Sequence, residues 1–320
     1  MKKIALEEHF VNDDFLPYTS KADFKVMDAK DVEDFKTRLL DIGEIRIQEM
    51  DKAGIDIAVL SLTDPGLQGE LDTPTALKLA PKVNDYLAEK IAANPKRFRG
   101  FAQLPMQDPK AAVKELERCI RELKFVGVLV NGQTQDRYLD EEIYHPFWEK
   151  IQELDVPVYI HPGSPLISPH SYKDRPELNG AFWGWMVETA THALRLIVSG
   201  TFDRFPAAKI ILGHMGETLP FLIWRFDSRW KILKHDKPLK KLPSQYIREN
   251  IYITTSGVCS NNSLICSINE MGENNVMFSV DYPYESSEIA AQFIEKATIS
   301  ESVREKVAYK NAARLLKITE

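Results

Sequence analysis

The sequence contains little that would stabilise a small secreted protein or place the chain in a membrane. It has only three cysteines in 320 residues, Cys119, Cys259 and Cys266, which is an odd number without the spacing of a metal-binding motif. A chain of this length needs no disulfide bonds, so this cysteine content favours a reducing cytoplasm. No run of 18 apolar residues occurs, and two glutamates and a histidine interrupt the first ten residues. We therefore expect neither a membrane span nor a signal peptide.

Positive charge is also scarce. The 41 lysines and arginines are outnumbered by 47 acidic residues, which gives a net charge of −6 and an isoelectric point near 5.8. No basic surface of the kind that binds nucleic acid or anionic membranes is expected from this balance. Hydrophobic residues make up 44% of the chain, which is enough for a large buried core. Because we find no linker, internal repeat or low-complexity tract, we predict one domain spanning residues 1–320.

Short β-branched runs recur along the chain, and each is followed by a longer segment with helical periodicity. This alternation is typical of parallel βα units. Several of the runs are almost entirely apolar, as expected for strands that are covered on both faces. Eight such units predict a (β/α)8 TIM barrel with loop insertions, a fold that commonly spans about 250 residues or more. The predicted strands are Lys3–Glu7, Ile57–Leu62, Phe98–Leu104, Val126–Val130, Val156–Ile160, Lys209–Gly213, Ile251–Thr255 and Val276–Val280.

The segments between the strands are predicted to form an outer ring of helices, because apolar residues recur in them at steps of three and four. Prolines such as Pro81 are expected near helix ends, where they disrupt least. Asn12–Glu33 and Ser164–Gly184 are predicted to be long loops over a site. The predicted helices are Ala80–Ala93, Ala111–Leu123, Val187–Phe202, Leu219–Leu233 and Glu301–Leu316.

The residues that end the predicted strands are unusual. In barrel enzymes the reacting groups lie at or just beyond the carboxyl ends of the strands. Strand one ends in Glu7 and His9, strand five in His161, strand six in His214 and strand eight in Asp281. Residues at positions i and i+2 of a strand share a side, so Glu7 and His9 can both point inward. A single histidine at a strand end is usually structural, but four ends with carboxylate or imidazole together predict a metal site.

Four motifs surround these strand ends: ALEEHF at residues 5–10, PVYIHP at 157–162, GHMGE at 213–217 and FSVDYP at 278–283. Together they resemble the amidohydrolase superfamily and, within it, the metal-dependent nonoxidative decarboxylases of hydroxybenzoates, of the γ-resorcylate (2,6-dihydroxybenzoate) and 2,3-dihydroxybenzoate type. The most specific elements are the opening Glu-x-His, where many relatives carry His-x-His, and Gly-His-x-Gly-Glu after strand six. The resemblance spans nearly the whole chain.

This resemblance implies a role for each residue. Asp281 is implied as the acid that protonates the ring carbon bearing the carboxylate, which requires burial and a neighbouring carboxylate, such as that of Glu7, to raise its pKa. His214 and Glu217 are implied as a polarised pair that lines the substrate cavity. The implied substrate is a small aromatic carboxylate, and the implied assembly is a homodimer or homotetramer. The implied metal ligands are Glu7, His9, His161 and Asp281.

One divalent ion is expected for each chain. Binuclear relatives bridge two ions with a modified lysine at the end of strand four, but here that strand ends in Leu129, Val130 and Asn131. A bound ion would chelate the substrate's carboxylate and its ortho phenolic oxygen, which fixes the ring against the acid. Imidazole and carboxylate ligands suit zinc and manganese comparably, so both remain open.

A few residues are weaker candidates. Arg225 is predicted to bind a substrate phenol or to position the acid, with a solvated helix arginine as the alternative. Phe182 and Tyr284 are predicted to contact the flat ring, although aromatic residues at such spacing also build ordinary cores. Asp64–Gln68 is either a substrate-facing turn or an ordinary loop. His192 lies in a helical pattern and is predicted to be structural.

Two other functions remain open at this level. Most of the superfamily uses the same aspartate to activate a metal-bound water for hydrolysis of an ester, lactone or amide, so a metal-dependent hydrolase is the alternative to a decarboxylase. A catalytically inactive barrel that binds a partner is the third reading, but it would have no reason to keep every ligand. Decarboxylation is preferred because of the Glu-x-His opening and the strand-six histidine with its glutamate, and this preference rests on the resemblance.

Overall fold

Eight parallel strands form one sheet in the computed structural model, which describes residues 1–19, 27–235 and 237–319. Each strand pairs with the next along the chain, and the sheet curls into a nearly closed barrel. The predicted (β/α)8 fold is therefore confirmed. The strands are β1 (Ile4–Phe10), β2 (Ile57–Leu62), β3 (Phe98–Ala102), β4 (Gly127–Asn131), β5 (Val158–His161), β6 (Ile210–Leu212), β7 (Ile251–Thr254) and β8 (Val276–Met277).

Helices surround the barrel, and none in the described part of the chain is long and apolar enough to cross a bilayer. Short 3-10 turns and one π-helical stretch, Lys306–Lys310, lie between them. The α-helices are α1 (Ala29–Leu40), α2 (Glu44–Ala53), α3 (Thr73–Ala93), α4 (Pro109–Arg121), α5 (His145–Leu154), α6 (Gly184–Val198), α7 (Thr201–Arg204), α8 (Leu219–Trp230), α9 (Pro243–Asn250), α10 (Asn261–Met271), α11 (Ser287–Lys296), α12 (Glu301–Glu305) and α13 (Asn311–Leu315).

The strands bury side chains on both faces, which explains their apolar composition. Alternate residues such as Val59, Phe101 and Leu129 pack together inside the barrel, while their sequence neighbours pack between the barrel and the helices. The inner side chains fill the barrel as a solid core. A polar side chain that points inward at the carboxyl end of a strand is consequently supported by this rigid core.

Strand β1 departs from simple alternation. Its register against β2 shifts between Ala5 and Glu8, which is a β-bulge. Leu6 packs in the interior cluster and Glu7 contacts Tyr159 of β5, so two successive residues face the barrel axis. The predicted inward direction of Glu7 is found, but the bulge produces it, since strict alternation from Leu6 would turn Glu7 outward.

Several predicted element bounds differ from the structure, and two of the differences concern a proline and a long loop. Pro81 lies inside α3 rather than near its end, because the helix begins earlier, at Thr73, with the Asp72 carboxylate accepting a hydrogen bond from Thr75 N at 3.0 Å. The predicted loop Asn12–Glu33 is only partly a loop, because α1 begins at Ala29, and residues 20–26 lie outside the described part.

Candidate metal centre and active site

Four potential metal ligands meet at the carboxyl end of the barrel. Glu7 and His9 lie on β1, His161 ends β5, and Asp281 follows β8, and one ligand atom of each lies within 4.8 Å of the others. His9 Nε2 is 3.2 Å from Asp281 Oδ1, and His161 Nε2 is 3.4 Å from Glu7 Oε1. The structure therefore brings together the four residues that the sequence predicted as ligands. This donor set of two imidazoles and two carboxylates suits a divalent ion such as zinc or manganese.

Both imidazoles are oriented by the ring nitrogen that faces away from the cluster. His161 Nδ1 donates to the carbonyl oxygen of Pro162 at 2.9 Å, which leaves the Nε2 lone pair directed at the cluster. His9 Nδ1 lies 3.2 Å from Ser61 Oγ. Burial and the neighbouring His9 hold the pKa of His161 well below its ordinary value. The neutral imidazole that results is the form that binds a metal.

Glu7 is fully buried, and its two carboxylate oxygens have different surroundings. Oε2 accepts hydrogen bonds from the hydroxyls of Tyr159 and Ser256. Oε1 has no hydrogen-bond partner among the described residues, and the same holds for His9 Nε2. A buried carboxylate oxygen without a donor is costly unless a cation compensates it. Glu7 Oε1 and His9 Nε2 thus fit a metal ion between them.

Three residues that support Glu7 were missed in the sequence. Tyr159 lies two positions before His161 on β5, so the same alternation that points His161 inward points Tyr159 inward, and this signal was available. Ser256 follows β7 and carried no such signal. Gly213 leaves room for the carboxylate, because a Cβ there would lie 2.7 Å from Glu7 Oε2.

His214 forms the predicted pair with Glu217. Its Nδ1 lies 2.7 Å from Glu217 Oε1, and its Nε2 lies 3.8 Å from Glu7 Oε1 and 3.6 Å from Asp281 Oδ2. Burial alone would lower the pKa of His214, but the carboxylates of Glu217 and Glu7 outweigh burial and hold it well above its ordinary value. These carboxylates therefore favour the protonated form of His214, whose ring faces the ligand cluster.

The backbone that carries this pair is in the left-handed region. His214, Met215, Gly216, Glu217 and Thr218 all have φ between 49° and 78°. Such a run is costly for residues with a Cβ and persists only where the surroundings enforce it. At Gly216 a Cβ would also lie 2.8 Å from Ile253 Cγ2, so glycine is needed there on both grounds. The turn places both side chains of the pair beside the cluster within four residues.

Asp281 differs from the prediction in its proton affinity. Burial acts to raise its pKa, as predicted, but the imidazoles of His214 and His9 outweigh burial and hold the pKa of Asp281 below its ordinary value. The expectation that burial and a neighbouring carboxylate raise the pKa of Asp281 is therefore not met in this structure. The physical reason is distance, since both imidazoles lie within 3.6 Å of the Asp281 carboxylate.

A cavity of about 790 Å³ opens above the cluster. Asp281, His161, His214 and Glu217 line it, so the ligand end of the barrel and the polarised pair are accessible from one space. The remaining wall is mainly apolar. A cavity with apolar walls and a few convergent polar groups is the usual form of a small-molecule site. The aromatic and sulfur-containing residues of the wall are Met27, Phe35, Phe182, Trp185, Met186, Met215, Phe221, Cys266 and Tyr284.

The weaker candidate residues differ in whether they line the cavity. Tyr284 lines the cavity, and its hydroxyl lies 2.7 Å from Thr63 Oγ1. Phe182 also lines the cavity, although 77% of the residue is exposed. Arg225 lies on an exposed face of α8 and is not among the described residues that line the cavity. His192 is buried in α6, where its Nε2 accepts a hydrogen bond from Leu139 N at 3.1 Å.

Comparison with known proteins gives matches over nearly the whole chain. Residues 22–318 match the sequence model of the amidohydrolase family. The γ-resorcylate decarboxylase of Polaromonas sp. (strain JS666) is 46% identical over 325 residues, which cover 99% of this chain and 98% of that protein.

Solved structures agree with the sequence matches. A 2,6-dihydroxybenzoate decarboxylase in complex with 2,6-dihydroxybenzoate is 41% identical and superposes with a TM-score of 0.94, covering 99% of this chain and 100% of that one. A dihydroxybenzoic acid decarboxylase from Polaromonas sp. JS666, with bound manganese and the inhibitor 2-nitroresorcinol, is 45% identical with a TM-score of 0.95, covering 100% of this chain and 98% of that one.

We predict that Glu7→Ala, His9→Ala and His161→Ala each lose the bound divalent ion while the barrel stays folded, because these side chains lie at the open end of the barrel rather than in its packed layers. Elemental analysis of protein purified without chelator and far-UV circular dichroism measure the two properties. His192→Gln changes a buried histidine outside the cluster and should keep one ion per chain. Parallel loss of the circular dichroism signal and of metal would show that the three residues serve the fold.

Proposed function

Because the chain belongs to the amidohydrolase family and to its branch of γ-resorcylate decarboxylases, we propose that it is a metal-dependent, nonoxidative decarboxylase of an ortho-hydroxybenzoate that releases carbon dioxide and a phenol. The observation that carries the proposal is the cluster of Glu7, His9, His161 and Asp281 on the floor of a largely apolar cavity, with His214 and Glu217 beside it. An aromatic acid presents the same combination of a flat apolar ring and an anionic edge.

A bound divalent ion would supply positive charge that attracts the substrate's carboxylate and favours the phenolate form of its ortho hydroxyl. Glu7, His9, His161 and Asp281 would hold it. We propose manganese or zinc, and the manganese-bound relative supports manganese. Asn131 ends β4, where a second ion would need the bridging lysine, so we propose a single ion per chain.

The proton for the ring carbon comes from the chain's own residues. We propose Asp281 as the acid, as the resemblance implied, and His214 as its proton source. The imidazoles lower the pKa of Asp281, so the resting proton resides on His214, whose Nε2 lies 3.6 Å from Asp281 Oδ2. Protonation of the ring carbon breaks aromaticity. Cleavage of the bond to the carboxylate then returns its electron pair to the ring and releases carbon dioxide.

The cavity wall indicates how the ring is held. We propose that Tyr284, which lies between the cluster and the cavity, packs against the substrate ring, and that Phe182 covers it from the exposed side. Substrate binding by Arg225 stays a prediction, since its side chain is exposed in the single chain. The relatives that act on 2,6-dihydroxybenzoate favour a substrate of that type.

We also propose that the enzyme is a homodimer or homotetramer in the cytoplasm. Phe221 and Trp224 of α8 are each 80% exposed, and Ile232 and Leu233 just beyond this helix are 67% and 59% exposed. Apolar side chains that are so exposed and so close in sequence are typical of a surface that another subunit covers. The three unpaired cysteines support a reducing compartment.

We predict that the manganese-loaded enzyme converts 2,6-dihydroxybenzoate to resorcinol, and that in deuterated water the ring carbon vacated by the carboxylate acquires deuterium, because the departing carboxylate has no hydrogen to supply. Mass spectrometry and proton NMR of the phenol measure both. Asp281→Asn should still bind 2,6-dihydroxybenzoate but lose about 100- to 10,000-fold in kcat, the usual contribution of a general acid. Hydrolysis of a lactone, with no phenol formed from 2,6-dihydroxybenzoate, 2,3-dihydroxybenzoate or salicylate, would instead establish the hydrolase.

We predict that Glu217→Gln moves the alkaline limb of the kcat/KM profile to lower pH. The charge of Glu217 raises the pKa of His214, so its removal lowers that pKa, and His214 then loses its proton at a lower pH than in the wild type. Initial rates measured across a pH series give the limb. An alkaline limb at the same pH in both proteins would show that His214 is not the proton source.

We predict that the double variant Trp224→Ser and Leu233→Ser dissociates to monomers, because it removes apolar area from the proposed subunit contact. Sedimentation velocity over a concentration series measures the assembly. Ile289→Ser on α11, where the wild-type side chain is 62% exposed, is the matched control and should leave the assembly intact. A monomeric wild type would refute the oligomer.

A further inference from the structure

The barrel closes between its last and first strands, and we call this region the β8/β1 seam. Strand β8 is only two residues long, and the described residues show no continuous ladder between β8 and β1. Two backbone hydrogen bonds cross the seam beyond the end of β8, from His9 N to Tyr282 O at 2.7 Å and from Asp281 N to Glu7 O at 3.1 Å. Three of the four candidate ligands therefore lie on the two sides of a seam that lacks regular strand pairing.

Side chains supply the hydrogen bonds that the missing ladder would have made. Ser279 Oγ accepts from Leu6 N at 3.1 Å and from Glu7 N at 2.6 Å. The carboxylate of Glu8, which is buried on the far side of β1 from the cavity, accepts from Val280 N at 3.1 Å and from the Ser279 hydroxyl at 3.2 Å. The seam is thus fixed by hydrogen bonds between buried polar groups on its two sides.

Arg46 completes this set from α2. The residue is 1% exposed, its Nη2 donates to the carbonyl oxygen of His9, and its Nε donates to the carbonyl oxygen of Asp41 at 3.2 Å. The guanidinium carbon lies 4.4 Å from the centre of the Tyr282 ring. One planar group therefore contacts β1 at a candidate ligand, and also contacts the residue that follows the ligand Asp281 on the other side of the seam.

Glu8 and Arg46 are both buried behind β1. Burial raises the pKa of Glu8 to about 8 and lowers the pKa of Arg46, and the attraction between the two groups offsets these effects only in part. Arg46 lies behind the strands rather than in the cavity, and it is not among the described residues that line the cavity. It therefore acts on the centre only through the residues that it holds.

We propose that Arg46 is a positioning residue for the metal centre. It anchors the main chain of His9 against Tyr282 and so sets the spacing between the β1 ligands and Asp281. This inference rests on the proposed metal-dependent function. Groups that orient metal ligands from behind typically contribute 10- to 100-fold in metal affinity.

The competing explanation is that Arg46 only anchors α2 to the barrel. Arg97 provides a matched control for this explanation, because it anchors the end of α2 and the residues that follow it. Arg97 donates to the carbonyl oxygens of Asp56 and Ile55 at 3.0 Å and to Asp51 at 2.7 Å, at the amino end of the barrel. Arg97→Met removes an arginine that binds main-chain carbonyls near α2 without touching the seam.

The experiment measures manganese binding to the folded apoprotein by electron paramagnetic resonance, together with the Tm of the apoprotein. Arg46→Met should weaken manganese binding about 10- to 100-fold. Arg46→Lys keeps the charge but not the planar fork, so it should weaken binding to a smaller extent with an apoprotein Tm close to wild type. Arg97→Met should lower the Tm and leave manganese affinity unchanged.

Each result decides the proposal. Wild-type manganese affinity in folded Arg46→Met or Arg46→Lys would overturn it, as would an equal loss of affinity in Arg97→Met. If Arg46→Met does not fold, Arg46→Lys decides alone, and weaker binding at an unchanged Tm supports the positioning role. Failure of the wild type to bind manganese or zinc would refute the proposed function itself, which is a different outcome from unchanged affinity in the variants.

Discussion

The buried carboxylate of Glu7 is the constraint on which the rest of the site depends. A glutamate buried at the carboxyl end of the barrel has a high desolvation cost, and Tyr159 and Ser256 satisfy only one of its oxygens. The bulge in β1, the missing Cβ at Gly213 and the two hydroxyls all serve to place this charge at the barrel axis. A cation at the other oxygen resolves the cost. The chain therefore keeps a destabilising charge because a divalent ion compensates it.

The charge of Glu7 also affects the pKa values of the groups around it. Glu7 and Glu217 hold the pKa of His214 high, and His214 with His9 holds the pKa of Asp281 low. Among groups a few ångströms apart, these charges thus favour a protonated imidazole at His214 beside an ionised carboxylate at Asp281. The left-handed turn from His214 to Thr218 is the backbone cost of this arrangement, since it carries both partners of the pair beside the cluster within four residues.

Much of this could be predicted from the sequence, and what could not has physical reasons. The barrel followed from eight buried strands alternating with helices, and the ligand set followed from the polar residues at four strand ends. The bulge at Ala5–Glu8 left no trace in the pattern, because alternation describes regular strands only. Ser256 was missed because it lies beyond β7, where periodicity ends. The proton affinity of Asp281 depends on distances to His9 and His214 that no linear pattern contains.

The position of the centre at the β8/β1 seam connects the fold to the chemistry. A barrel must close between its last and first strands, and here β8 ends early, so its remaining chain is free to turn Asp281 toward Glu7 and His9. A longer, regular β8 would pair its backbone with β1 and leave Asp281 in an extended conformation, whereas its φ is 81°. The seam therefore exchanges strand pairing for side-chain hydrogen bonds from Ser279 and Glu8. That exchange lets the carboxylate of Asp281 reach the two ligands of β1, so that three of the four candidate ligands meet where the barrel closes.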